Sequence, residues 1–301
     1  MISFLVFILM RLLPGDPILM IISQQQKSEY SAQYIAELRH EYGLDKPMMV
    51  QYFDWVGGMF HGDFGKSIFT NQPVTKEIVR RLPISLYLGI IAFIISLIIG
   101  IPLGVICAIR RGTWLDNSIT VLANLGITVP NFWLGFILIY VFALILKWLP
   151  VQGFTSPFID FSLSTRKLIM PVICDALFPI ASNVRQTRSS MLEVTRQDYI
   201  RTAWSKGLRE RVVISRHALK NGLMPVLTLA GMGLGAIAGG SVLIETVFNI
   251  PGVGRLAVQA VLNKDYPYVQ IITLLVAVVI VAANLLVDIA YSWLDPRIRY
   301  G

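Results

Sequence analysis

The stretch ISLYLGIIAFIISLIIGIPLGVICA, Ile84 to Ala108, contains no charged side chain. At ~1.5 Å rise per residue a helix of that length crosses a hydrocarbon core about 30 Å thick. Its apolar residues are continuous where a barrel strand would alternate, so it reads as a transmembrane helix. Working outward, similar runs occupy Ile119 to Leu146, Leu168 to Met191, Leu223 to Ile244 and Val269 to Trp293, with a shorter one at Met1 to Leu13. With 55% of its 301 residues hydrophobic, the chain is expected to be an all-α integral membrane protein of about six transmembrane helices. The first run is too short to cross and is interrupted by Arg11, so it is either re-entrant or a span that lacks its first part. A cleaved signal peptide is disfavoured, because no early positive charge and no small-residue cleavage site are present.

Three segments follow. Residues 1–13 form the first, apparently truncated, membrane helix, and 14–83 form an extracytoplasmic segment mixing eight acidic with seven basic residues. Residues 84–301 form the membrane core, with a cytoplasmic loop at 192–222. The net charge of +8 is read as topology and not as a nucleic-acid footprint, because the basic residues flank membrane spans. Arg110 and Arg111, nine basic against three acidic residues between Arg185 and Lys220, and Arg297 and Arg299 belong on one side. By the positive-inside rule that side is the cytoplasm, which places both termini inside. Cys107 and Cys174 fall within spans and offer neither a disulfide framework nor metal-ligand spacing.

The longest polar interruption of the core is MLEVTRQDYIRTAWSKGLRERVVISRHALKNGLMP, Met191 to Pro225. It reads as two short helices hinged at Gly207. Asp198 or Thr195 caps the first, whose Ile200, Ala203 and Trp204 share a face, and Gly207 supplies the left-handed residue that ends it. The second covers about Arg209 to Asn221. Enzyme chemistry is absent by comparison. Gly65-Lys66-Ser67 resembles the tail of a phosphate loop, but the glycine required five residues earlier is Phe60. His40, His61 and His217 are scattered without ligand spacing. No catalytic set, metal site or cofactor site is predicted, and any ATPase must be another chain.

Within the spans, Gly231, Gly235 and Gly239 recur every four residues, a helix-packing face that serves either intramolecular contact or a second subunit. Gly100 and Gly104 repeat the pattern. Pro102, Pro130, Pro171, Pro179 and Pro225 mark candidate kinks. Asn124, Thr128 and Asn131 form a polar stripe that lines a translocation pathway or bonds to neighbouring helices. Asp175 and Asp288 each require a partner, a cavity or an interface, and Asp288 is placed to pair with Arg185 or Arg188.

The elbow carries a family resemblance. Thr202, Ala203, Gly207 and Leu219 match the cytoplasmic coupling motif of ABC importer permeases, with Arg201 for the usual glutamate, His217 for isoleucine and Lys220 for proline. The wider chain resembles the first permease of the oligopeptide, dipeptide and nickel branch through RLLPGDP (11–17), YGLDKP (42–47), GDFGKS (62–67), TRSSMLEV (187–194), DYIRTAWSKG (198–207), RHALKNGLMPV (216–226), ETVFNIPGVGRL (245–256) and DPRIRYG at the end. The resemblance implies a type I importer permease in a prokaryotic inner membrane, contributing half of the pathway. It implies as partners a homologous second permease, two cytoplasmic ATPases that hold ATP and Mg, and an extracytoplasmic solute-binding protein. Asp198, Arg201, Thr202, Ala203, Lys206, Gly207, Arg216 and Leu219 would then couple to the ATPase, with flanking arginines setting the orientation of a helix whose apolar face enters the ATPase cleft. Short peptides are the expected cargo, with a nickel chelate or glutathione as alternatives. A plainer reading of the elbow is a basic helix lying on anionic membrane lipid, and the rivals of other classes are a proton-coupled secondary transporter dependent on Asp175 and an intramembrane enzyme.

Overall fold

The computed structural model describes residues 2–12, 18, 32–237 and 239–294, with side chains at all of these except 2, 10, 32, 41, 236, 287, 288 and 290–294. No strand occurs among the described residues, and one isolated β-bridge joins Lys66 to Pro73. RLLPGDP beyond Leu12, DPRIRYG and the side chain of Asp288 lie outside the described residues. The helices are α1 (Ile2–Leu12), α2 (Ala32–Glu41), α3 (Met48–Phe60), α4 (Val74–Ile109), α5 (Trp114–Thr128), α6 (Asn131–Leu138), α7 (Phe161–Val194), α8 (Asp198–Ser205), α9 (Glu210–Val212), α10 (Leu219–Gly222), α11 (Met224–Ile237), α12 (Val242–Val247), α13 (Val253–Leu262) and α14 (Tyr266–Leu294). Two π-helical stretches, Ile139–Ile145 and Val213–Ala218, extend α6 and join α9 to α10.

Among the described residues α4, α7 and α14 are long and apolar enough to span a membrane. The predicted span at Ile119 to Leu146 is instead a pair, α5 and α6 with its π extension, bent by 101°. Val129 and Pro130 are both extended at the break, with ψ of 122° and 128°. Proline disfavours the helical region for the residue before it and cannot donate to the preceding turn, which accounts for the corner. At the other candidate positions the helix is not interrupted: α4 continues through Pro102, and through Pro83 as well, and α7 continues through Pro171 and Pro179. Pro225 lies in the first turn of α11, where no donor is lost. The predicted span at Leu223 to Ile244 is α11 alone, 14 residues long, followed by a turn at 239–241.

Where α4 crosses α7 the two helices pack closely. A methyl group on Gly100 would stand 2.7 Å from Asn183 Cβ and 3.0 Å from the Ile180 carbonyl oxygen, and one on Gly104 would stand 2.5 Å from Thr187 Cβ. Small residues therefore permit a backbone approach that no side chain could share. Gly235 packs likewise against Ile280 of α14, an intramolecular contact. Gly239 lies past the end of α11, so the repeat from Gly231 does not continue on one helical face. A buried cluster of Leu88, Met170, Cys174, Ile244 and Phe248 joins α4, α7 and α12. Against the far end of α4, Val74 and Ile78 pack on Val253, Leu256 and Ile271.

Candidate functional site

The predicted elbow is present. α8 ends at Ser205 with Lys206 as its cap, Gly207 has φ +71°, and the chain resumes as the helical stretch 210–222. Nothing lies within 4 Å of where a Cβ on Gly207 would be, so the glycine meets a backbone requirement and not a steric one. Neither predicted cap acts. Gln197 precedes α8 without a side-chain bond, Asp198 is its first residue, and Thr195 closes α7 with its hydroxyl donating to the Leu192 carbonyl at 3.1 Å. Asp198 still favours that end through its charge at the N-terminal dipole.

The orientation of α8 differs from expectation. Ile200 and Ala203 are buried in the chain's own cluster with Ala108, Met191, Val213 and Ala218, and Leu219 is packed against it. This apolar face holds the elbow onto the ends of α4 and α7, so it is not available to enter a partner's cleft. Burying an isoleucine contributes about 1.5–3 kcal/mol, enough to fix a short helix that would not persist alone. The surface presented outward is mixed: Tyr199 and Trp204 are 42% and 46% exposed, beside Asp198, Arg201, Thr202, Lys206 and Arg216. Arg201 and Asp198 approach to 3.6 Å across one turn, and Asn221 Nδ2 donates to the Tyr199 hydroxyl at 2.8 Å, tying the two arms together.

Behind the elbow is a clamp that sequence reasoning missed. Arg188 of α7 donates from Nε to Asp116 Oδ1 at 2.6 Å and from Nη2 to Oδ2 at 2.8 Å. Asp116 is 1% exposed and also accepts from the Gly112 amide at 3.0 Å and the Thr120 hydroxyl at 3.3 Å. Among the described residues the carboxylate partner of Arg188 is thus Asp116. The short turn after Arg110 and Arg111 brings Asp116 there; an i,i+3 or i,i+4 search along one helix could not find the pair.

A cavity of about 470 Å³ opens between α4, α7, α11 and the 239–241 turn. Its walls are mainly apolar, with Phe93, Phe178, Leu229 and Ile237, and its polar groups are Ser96, Asp175, Ser182, Asn183 and Ser241. Asn124 and Thr128 are exposed on α5 and Asn131 begins α6 beyond the bend, so the predicted polar stripe is neither on one helix nor in this cavity. Thr128 donates to its own helix at Leu125, 3.0 Å away. Asp175 accepts from the Ser241 hydroxyl at 2.5 Å through Oδ1, while Oδ2 is buried without a hydrogen-bond partner.

Two family-like loops become structural latches. Ser85 of α4 donates to Glu245 Oε1 at 2.6 Å and accepts from the Val253 amide at 2.8 Å, and the Arg255 amide donates to Glu245 Oε2 at 2.9 Å. A Cβ on Gly252 would fall 2.4 Å from that carboxylate, which explains the glycine in PGVGRL. In GDFGKS, Ser67 is buried and donates to Asp265, whose other oxygen accepts from the Ile68 amide at 3.1 Å. Burial pushes the Asp265 carboxyl above its ordinary range despite these donors. The Gly-Lys-Ser loop is therefore a packed corner and not a phosphate cradle. Among the described residues no group of acids, histidines or cysteines could hold a metal ion.

A helical membrane core, a mainly apolar cavity with a few polar groups, and a polar elbow anchored by its own apolar face define a membrane permease of the type I importer fold. The fold is shared with a solved structure titled as inward-facing conformations of the MetNI methionine ABC transporter, at a TM-score of 0.59 over 73% of this chain and 97% of that one, with 15% identity. The chain belongs to the family described as binding-protein-dependent transport system inner membrane component, which it matches over residues 100–300, and residues 1–89 match that family's N-terminal region. It is 45% identical to a putative peptide transport system permease protein of Brucella abortus, over 99% of this chain and 94% of that protein. It is 40% identical to the oligopeptide transport system permease protein AppB of Bacillus subtilis and to the dipeptide transport system permease protein DppB of Escherichia coli, each over 99% of this chain and 94% of the relative.

Proposed function

We propose that this chain is one of two permeases in an ATP-driven importer of short peptides. It supplies half the pathway, and the outward face of its elbow docks on a cytoplasmic ATPase that carries ATP and Mg. An extracytoplasmic binding protein delivers the solute, and both termini lie in the cytoplasm of a prokaryotic cell. The observation that carries this reading is the elbow: its apolar residues are used up internally, yet Tyr199, Trp204, Arg201 and Lys206 remain outward on a helix fixed to α4 and α7. Exposed aromatics interspersed with charge are the composition of a protein-docking surface. The relatives named for peptide and dipeptide transport support the cargo, and the mainly apolar cavity suits a weakly selective path. Basic residues around the elbow support the cytoplasmic side.

The test is a mild-detergent pull-down of the tagged chain from its native membrane, with partners identified and ATPase activity and dipeptide uptake measured after reconstitution. Recovery of a second permease and ATPases with peptide-stimulated uptake is expected. A chain that purifies alone and transports under a proton gradient would overturn the reading.

A further inference from the structure

We propose that Asp175 is the ammonium subsite of the cavity, receiving the N-terminal ammonium of a short peptide in transit. The inference rests on the peptide-importer reading above and deepens it. Among the described residues Asp175 is the single acidic one lining the cavity, and no lysine, arginine or histidine lines it. Ser241 satisfies Oδ1 and turns the carboxylate, while Oδ2 is buried with no donor. An uncompensated carboxylate at membrane depth is costly. Protonation at Oδ1, with the Ser241 hydroxyl oxygen as acceptor, removes the charge and still leaves Oδ2 without a partner. The nearest other acid, Glu245, is already held by Ser85 and backbone amides. The chain therefore leaves one buried oxygen to be satisfied from outside, and a cation with N–H donors is the chemistry that does so.

The rest of the lining fits the other end of a zwitterion. Asn183 and Ser182 lie about two helical turns beyond Asp175 on α7, and Ser96 of α4 faces Asn183, whose Nδ2 donates to the Ser96 carbonyl and hydroxyl at a loose 3.4 Å. Eight residues of helix measure about 12 Å, and an extended chain reaches roughly 7 Å for two residues and 11 Å for three. With a hydrogen bond of about 2.8 Å at each end, a dipeptide just spans from the carboxylate at Asp175 to amide and hydroxyl donors at Asn183 and Ser182, and a tripeptide does so with slack. Between them Phe93, Phe178 and Ile237 offer apolar contact without charge, which leaves side-chain identity unread.

The experiment uses the complete importer, with its second permease, ATPases and binding protein, in liposomes. Asp175→Asn keeps the shape and the acceptor for Ser241 but removes the charge, and it is expected to lower dialanine uptake roughly tenfold or more with unchanged yield of the assembled complex. Ser241→Ala removes the orienting bond and keeps the charge, and its loss is expected to be distinctly smaller. Equal loss in the two variants would make the pair a tether between α7 and the 239–241 turn and overturn the proposal, as would uptake unaltered by Asp175→Asn. In a second arm Asp175 is labelled with a hydrophobic carbodiimide and read by mass spectrometry, with dialanine expected to protect and N-acetyl-dialanine not. Equal protection by both, or a carboxyl the reagent never reaches, such as one covered by a cation of the second permease, overturns it. If the unaltered importer moves another solute and no dialanine, the peptide reading itself fails and this inference falls with it, so the two failures are read from different samples.

Discussion

Replacing Arg188 by alanine removes both bonds to Asp116, 2.6 and 2.8 Å, and leaves a carboxylate that is 1% exposed with the Gly112 amide and the Thr120 hydroxyl at 3.0 and 3.3 Å and the Cys107 thiol beside it. Removing one member of a buried pair costs about 3–5 kcal/mol. Arg188 is 30% exposed, so water screens part of that loss and a net of about 2–3 kcal/mol is expected. At about 1.4 kcal/mol per tenfold, local opening of the clamp rises roughly 30- to 140-fold. The chain contains its own reporter. Cys107 is a free, buried thiol on the last turn of α4, clustered with Ala123, Ala181 and Val184 around the clamp, and Cys174 is a second free thiol buried in a separate cluster. Maleimide labelling of the intact complex, followed by mass spectrometry, should show Cys107 reacting faster by one to two orders of magnitude and Cys174 unchanged. The double change Asp116→Asn with Arg188→Gln should recover most of the protection, because no buried charge is left unpaired. A rise at both thiols together, or at neither, would refute the idea that this ion pair locally holds the α4–α5 turn to α7.

Gly207→Val should lower transport per ATP hydrolysed without reducing complex yield. The left-handed φ costs a branched residue about 1–2 kcal/mol and no neighbour is struck, so a fall in yield would mark the elbow as an assembly element only. Asp265 supplies a pH test. Its folded pKa is raised by burial, so the folded state favours the protonated acid. Packing of the 65–73 corner is then firmest below the ordinary carboxylate pKa and weakens as pH rises through the raised folded value. Hydrogen exchange at Ile68 to Thr70 should quicken with pH beyond its intrinsic dependence, and Asp265→Asn should abolish that excess; an unaltered profile would show that the carboxyl is not the titrating group. Gly252→Ala should break the Glu245 latch, since its Cβ would lie 2.4 Å from the carboxylate, and should lower thermal stability by an amount that Glu245→Gln does not match. Equal losses would place the cost in the charge and not in the cradle.

What the sequence revealed follows from the range of the forces involved. Apolar runs, the αL glycine at 207 and the two-helix elbow are local properties of the chain, and they were legible. The apolar face of α8 was read correctly as a face and assigned to the wrong neighbour, because Ile200 and Ala203 show amphipathicity without showing which surface they meet. The crossing at Gly100 and Gly104 looked weaker than the Gly231 repeat, yet it is the tighter contact; a repeat reports a possible seam, while closeness depends on what the other helix offers, here Asn183 and Thr187. Asn124 to Asn131 was misjudged as one stripe because a single proline turned the axis by 101°. Ser85 with Glu245, Ser67 with Asp265 and Asp116 with Arg188 are separated by 160, 198 and 72 positions, and no periodic pattern encodes such pairings. Asp175 was legible as an expensive residue, while its half-satisfied state needed the position of Ser241.

α7 gives these parts a mechanical relation. One unbroken helix carries Asp175 and Asn183 into the cavity, Thr187 against Gly104, Arg188 into the clamp and Met191 under the elbow. A lateral push on the elbow therefore acts on the same rod that lines the cavity, and the Gly100–Gly104 crossing is where α4 and α7 must pivot if the cavity is to change shape. Gly104→Ala tests this. Its methyl would lie 2.5 Å from Thr187 Cβ and 2.7 Å from the Val184 carbonyl oxygen, so backbone as well as side chain must give. Overpacking of this kind costs about 1–3 kcal/mol, too little to prevent assembly but applied at the pivot itself. Transport should fall further than ATP hydrolysis, and pairing the change with Thr187→Gly, which removes the Cβ that the new methyl strikes, should restore part of the loss. If transport and hydrolysis fall in proportion, or if Thr187→Gly brings nothing back, the crossing is a passive contact and the pivot lies elsewhere.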